Sequence, residues 1–136
     1  MKLEGKLMTG KAEERSDWDT YFFDIARIVS TRATCPRKQV GCVIVHNKRI
    51  LATGYNGAPA GAEHCTDVGC AMVANHCTRA IHAEENAVQQ LLDYNDPYWY
   101  EEITIYCTLQ PCRKCAKMFK GLKNIKVKWL EDYENI

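Results

Sequence analysis

Two short runs hold the residues of this chain that can do chemistry. In IHAEENA, residues 81–87, His82 and Glu84 stand two apart; in QPCRKC, residues 110–115, Cys112 and Cys115 stand three apart. One imidazole and two thiols are donors that suit a zinc ion. A neutral imidazole with two thiolates offsets its charge and leaves a fourth tetrahedral position for water, the pattern of a catalytic rather than a closed structural zinc. Water held there gives up a proton near pH ~7. A carboxylate outside the ligand set, here Glu84, can take that proton and hand it on. The competing assignment is a hydrogen-bonded histidine, an exposed glutamate and a CxxC that closes a structural zinc; it leaves the HxE pair without a use.

The spacing constrains the elements beneath these residues. Two positions apart on a helix is a rotation of about 200°, so His82 and Glu84 can address one point only at a helix start, from the first turn. Cys112 and Cys115, at i and i+3, share one side of a first turn, where the free N–H groups and the positive end of the helix favour thiolates. The rest of the chain supplies such elements. Trp18, Tyr21, Phe22, Ile25, Ile28 and Val29 recur at three- and four-residue steps, with Ser16 and Asp19 spaced as a capping box, and predict a first helix. QVGCVIVHNKRILATGY predicts a hairpin about HNK. NGAPAGAEHCTDVGCAMVANHCT has no clean period and predicts a long loop, of a length that needs a functional or metal-based reason to be ordered. A second helix is expected from about Ile81 to Tyr94, burying Ala83, Ala87, Val88 and Leu91, then a strand in ITIYCTL, a helix from Cys112 to about Leu122, and a strand in NIKVKWL. This order gives an α/β sandwich whose later strands are parallel and joined by crossover helices.

Bulk properties exclude several classes. At 136 residues the expectation is a single domain over 15–136, preceded by a flexible polar arm over 1–14. With 18 basic and 17 acidic residues, net charge +1, there is no broad electrostatic footprint for nucleic acid or an anionic membrane. No apolar run reaches signal-peptide length near the start or the ~18 residues of a membrane helix, so a cytoplasmic protein is expected. Eight cysteines in such a compartment argue for metal ligation rather than disulfides. Cys42 and Cys107, inside strand-like runs, read as small core residues. Cys35, Cys65, Cys70 and Cys77 remain, flanking the long loop.

His82-Ala83-Glu84 with Pro111-Cys112-Arg113-Lys114-Cys115 resembles the signature of the zinc-dependent nucleobase deaminases. With VSTRATCPRKQVGCVIV, LATGYNGAPAG and the HC pairs, residues 17–130 look like a deoxycytidylate (dCMP) deaminase, including the bacterial and phage proteins of the competence-operon type. The resemblance implies a three-layer α/β/α cytidine-deaminase-like fold with a mixed central sheet. It implies that His82, Cys112 and Cys115 hold a catalytic zinc and that Glu84 moves protons while activated water attacks the amine-bearing carbon of dCMP, yielding dUMP and ammonia. It places Asn56 against the substrate sugar and Tyr106 in the pocket lining, with Ala83 in the substrate-binding set. It also implies a homo-oligomer, often a hexamer, under control of dCTP and dTTP.

Two readings come with it. Cys35, Cys65, Cys70 and Cys77 could hold a second, structural zinc that staples the long loop to the end of the first helix; the resemblance supports Cys35 and Cys65, and lets His64 or His76 replace one of the others. Arg32 and Lys38 are the candidate partners of a 5′-phosphate, which needs a cation or a helix N-terminus. Asn56 and Gly57 also read as an ordinary turn after a strand, with Gly57 at positive φ. Departures from the family pattern are the end at Ile136, where many relatives continue into another helix and strand, and the acidic and aromatic LLDYNDPYWY where relatives carry a basic residue. The alternatives are a deaminase of nucleosides or RNA, against which the near-neutral charge counts, and a non-catalytic zinc module, which has no use for Glu84.

Overall fold

Asp17, not Ser16, starts the first helix. Its backbone is extended (φ −68°, ψ 166°) and its carboxylate accepts the Thr20 N–H at 2.8 Å, leaving α1 to run over Trp18–Ser30. The expected Ser16/Asp19 capping box is therefore displaced by one residue, because Asp19 is used elsewhere: its carboxylate accepts from the Tyr106 hydroxyl and from Lys128. The computed structural model describes residues 15–35, 38–57, 72–73, 76–77, 81–96 and 100–132; the expected arm over 1–14 lies outside them.

Strands β1 (Gly41–His46) and β2 (Arg49–Tyr55) form the expected hairpin. Its two-residue turn has Asn47 and Lys48 at φ 48° and 65°, the left-handed pair that matches the twist of the flanking strands. In the segment read as a loop, β3 (Met72–Val73) and β4 (His76–Cys77) form a short antiparallel ladder of their own. Helix α2 (Ala83–Tyr94), strand β5 (Ile103–Leu109), helix α3 (Arg113–Lys120) and strand β6 (Ile125–Glu131) complete the order. The main sheet runs β2-β1-β5-β6, with β1 antiparallel to both neighbours and β5 parallel to β6, the pair that α3 connects. The mixed sheet and crossover agree with the sequence reading.

Side chains alternate across the sheet and divide the core in two. On one face Val43, Val45 and Tyr106 meet Phe22 and Ala26 of α1. On the other, Cys42, Ile44, Ile103, Ile105, Cys107 and Leu109 meet Ala83, Ala87, Val88 and Leu91 of α2 and Phe119 of α3. Three layers result. Cys42 and Cys107 are the core residues expected, both fully buried and cross-strand partners. The apolar period of α1 is only partly buried, since Trp18, Tyr21 and Ile28 stay exposed.

Two close approaches set the helices on the sheet. A side chain at Gly41 would fall on the Ala26 carbonyl of α1, and one at Gly54 on the Ala83 carbonyl and within 2.5 Å of the Ala87 nitrogen of α2. The first turn of α2 is thereby pressed onto β2. Gly57 does not occupy the positive φ expected of a turn; it bridges Ile81, with N–H···O contacts of 3.0 and 2.7 Å in the two directions. That bridge ties the end of β2 to the residue before His82. Asn86 on α2 adds a bond from its amide nitrogen to the Tyr55 carbonyl at 2.8 Å. Among the described residues no helix is long and apolar enough to cross a membrane.

Candidate active site

The starts of α2 and α3 converge on the end of the sheet where β2 and β5 finish and β1 begins. His82 is the N-cap of α2 (φ −67°, ψ 151°) and Cys112 the N-cap of α3 (φ −68°, ψ 170°); neither side chain caps its own helix, so both are free of that task. Cys115 lies one turn into α3 and is fully buried. His82 Nδ1 approaches Cys115 Sγ to 3.3 Å and Cys112 Sγ to 3.4 Å. All three donor atoms lie within 4.8 Å of one another. In tetrahedral coordination, with bonds of ~2.3 Å to sulfur and ~2.0 Å to nitrogen, neighbouring donors stand roughly 3.5–3.8 Å apart. The observed spacing and the N,S,S donor set fit a zinc ion, with Nδ1 as the ring nitrogen that faces it.

Glu84 follows in the first turn of α2 and is 5% exposed, one of two buried polar side chains among the described residues. The Cys115 thiol donates toward its Oε2 at 3.6 Å. Burial raises the Glu84 carboxyl above its usual value and the charge of Glu85 adds to this, against hydrogen bonds from its own backbone and from Cys115. Burial also raises the Cys115 thiol, with the Glu84 charge next in effect. A cation among these donors reverses that balance and holds the sulfurs as thiolates.

Asn56, the other buried polar residue, is an internal clamp: its Oδ1 accepts the Val40 N–H at 2.8 Å and its Nδ2 donates to the Lys38 carbonyl at 2.6 Å. It fixes the run into β1 against the end of β2. Ala83 is buried against Gly54 in the core, so its side chain is used in packing. Tyr106 is not brought to the metal ligands. It sits on the α1 face, its ring against Phe22 and Phe23 and its hydroxyl donating to Asp19 at 2.6 Å, because the residue that faces the α2 side is its neighbour Cys107. Burial, then the Asp19 bond, push the Tyr106 hydroxyl above its usual value. Arg32 is exposed just past α1, and Lys38 is half-buried beside Asn56.

Cys35 is buried near this end of the sheet. Cys65, Cys70 and His64 lie outside the described residues, and only the backbone ladder is described for His76 and Cys77. Two residues escaped the sequence reading. Glu85 Oε1 lies 3.9 Å from His82 Nδ1 and 3.4 Å from Lys114 Nζ, linking the two helix starts. The available signal was that Glu85 stands three after His82 and Lys114 inside the CxxC.

Residues 16–130 match the family described as the cytidine and deoxycytidylate deaminase zinc-binding region. The chain is similar to ComE operon protein 2 of Bacillus subtilis, 43% identical over 123 residues, 89% of this chain and 63% of that one. It is similar to the deoxycytidylate deaminase of Schizosaccharomyces pombe, 37% identical over 123 residues, 85% of this chain and 37% of that one. The chain thus spans less than two thirds of the length of either relative. Its fold is similar to that of the dCMP deaminase from cyanophage S-TIM5, solved in complex with dCMP and dUMP, with TM-score 0.75, 27% identity, and 90% and 87% of the two chains covered. By its matched length and its identities to these relatives, the chain belongs to the cytidine and deoxycytidylate deaminase family.

Proposed function

We propose that the protein hydrolyses the exocyclic amine of dCMP, giving dUMP and ammonia, and so supplies dUMP for thymidylate synthesis. The observation that carries this is the meeting of His82, Cys112 and Cys115 with a buried carboxylate, Glu84, in a chain similar to enzymes named for dCMP. His82, Cys112 and Cys115 hold the metal. Zinc, when bound, supplies the Lewis acidity that makes water nucleophilic near neutral pH. Glu84 takes one proton of that water and delivers it to the ring nitrogen beside the amine-bearing carbon; once the hydroxyl has added to that carbon, Glu84 takes the hydroxyl proton and passes it to the amine, which leaves as ammonia while the carbonyl forms. Burial raises the affinity of Glu84 for protons above that of an exposed carboxylate, the direction that favours handing a proton on as well as taking one. Burial excludes bulk water from the transfer.

Asn56 holds the sugar end of the pocket, directly or through the Lys38–Val40 backbone that it clamps, and the start of α2 at Ala83 offers the substrate backbone rather than side chain. Arg32 and Lys38 take the 5′-phosphate, so alanine at either raises KM for dCMP and leaves deoxycytidine unaffected. A second, structural zinc on Cys35, Cys65, Cys70 and Cys77, with His64 or His76 as substitutes, staples the segment before α2; two zinc ions per folded chain are expected, and one per chain refutes it. The protein works in the cytoplasm as a homo-oligomer, a hexamer in the fullest form, with dCTP and dTTP as opposed effectors. A dCMP saturation curve on protein sized by light scattering tests both: a monomer with a hyperbolic curve indifferent to either triphosphate refutes them.

The deciding experiment is ammonia release from dCMP, deoxycytidine, CMP and a tRNA anticodon stem, side by side. The expected order puts dCMP first; equal or faster release from deoxycytidine or the RNA overturns the substrate.

A further inference from the structure

Glu85 is the residue whose position the proposed chemistry does not use. It stands in the first turn of α2, three after His82, and is less than one-third exposed. Its Oε1 lies 3.9 Å from His82 Nδ1, the same ring nitrogen that faces both cysteine sulfurs. Glu85 is not among the donors that lie within 4.8 Å of one another, so a turn of its side chain toward the two sulfurs is what would bring its oxygen to the donor spacing of a tetrahedral zinc. Oxygen ligands from Glu are ordinary for this metal. A fourth protein ligand would displace the water and turn an open site into a closed one.

The same oxygen is held from the other side. Lys114 Nζ lies 3.4 Å from Glu85 Oε1, and Lys114 rises from the turn that carries Cys112 and Cys115. The cation therefore engages the carboxylate from the α3 side. We propose that Lys114 restrains Glu85 from entering the ligand set and so keeps the fourth position open to water. The inference rests on the metal site proposed above but not on the identity of the substrate. Lys114 and Glu85 are positioning residues. Lys114 is three-quarters exposed, so the restraint has the strength of an exposed ion pair, a factor of about two and at most ~5 in the balance between open and closed forms.

The test uses the cobalt(II)-substituted full chain, with azide as the probe of the open position, read from the visible spectrum, alongside ammonia release from dCMP. Lys114→Ala is expected to weaken azide binding and turnover measurably, by no more than about five-fold. Adding Glu85→Asp keeps the charge but shortens the reach, and should restore azide binding; adding Glu85→Gln should restore both. Failure of Lys114→Ala/Glu85→Asp to recover azide binding would mean that Lys114 acts through charge alone and overturns the proposal, as would unchanged azide binding in Lys114→Ala. A wild-type chain that holds no metal at this site defeats the site itself and this inference with it, whereas normal azide titration without dCMP turnover overturns only the substrate assignment.

Discussion

Gly54→Ala tests whether the contact between β2 and α2 sets the geometry of the metal ligands. A Cβ at residue 54 would fall on the Ala83 carbonyl, 2.5 Å from the Ala87 nitrogen and 2.9 Å from the Ala87 Cα. These are backbone atoms of a packed helix and no rotamer relieves them. Ordinary contact needs about 3.5 Å, so α2 must retreat by roughly 1 Å at its first two turns. His82 and Glu84 ride on those turns, while Cys112 and Cys115 belong to α3 and stay behind. Overpacking of this kind costs about 1–3 kcal/mol of stability, and a misplacement of about 1 Å at a reacting group can lower turnover by ~10². Urea denaturation, zinc competition with a chromogenic chelator and ammonia release from dCMP measure the three effects. Gly121→Ala is the control: the added Cβ meets only the Met118 carbonyl at 3.3 Å, at φ −75°, so its stability should change by no more than about 1 kcal/mol. A Gly54→Ala protein within about 0.5 kcal/mol of wild type, with unchanged zinc retention, would refute the claim that this contact positions the site.

Glu84→Gln retains shape and the three ligands, so turnover should fall by ~10²–10⁴ with zinc content unchanged by elemental analysis. Loss of zinc would instead make Glu84 a ligand. Tyr106→Phe removes a hydrogen bond to the ionised Asp19, whose side chain is half exposed and therefore screened by water, and should cost about 0.5–1 kcal/mol at neutral pH. Because Asp19 has its pKa lowered by Tyr106 first and Lys128 second, this contribution is full above the model-peptide value of 3.8 and fades as pH falls through the lower folded value. Denaturation curves of the two proteins should therefore converge in acid, and a constant gap down to the lowest measurable pH contradicts that account. Leu91→Ala, at a fully buried position of α2, should cost about 2–5 kcal/mol by the same assay.

What the sequence determined by itself is local. The helix and strand periods of 18–30, 41–55, 83–94, 103–109 and 113–131 were legible because burial repeats every 3.6 or two residues wherever one face meets a core. The candidate ligands were legible because HxE and CxxC can serve one ion only from helix starts, and the structure brings both runs to such starts, with His82, Cys112 and Cys115 close enough to hold an ion. Other features depend on partners far along the chain, and no local pattern announces them. Asp17 takes the cap of α1 because Asp19 is drawn to Tyr106 and Lys128, some ninety and more positions away. Tyr106 faces α1 rather than the metal ligands because the register of β5 against β1 gives the α2 face to Cys107. Gly57 is a bridge to Ile81, not a turn, because α2 is pressed against β2 at Gly54. The approach of Glu85 to Lys114 exists only once two helix starts converge over one end of the sheet, and that convergence is set by the packing of α2 and α3 on the same face.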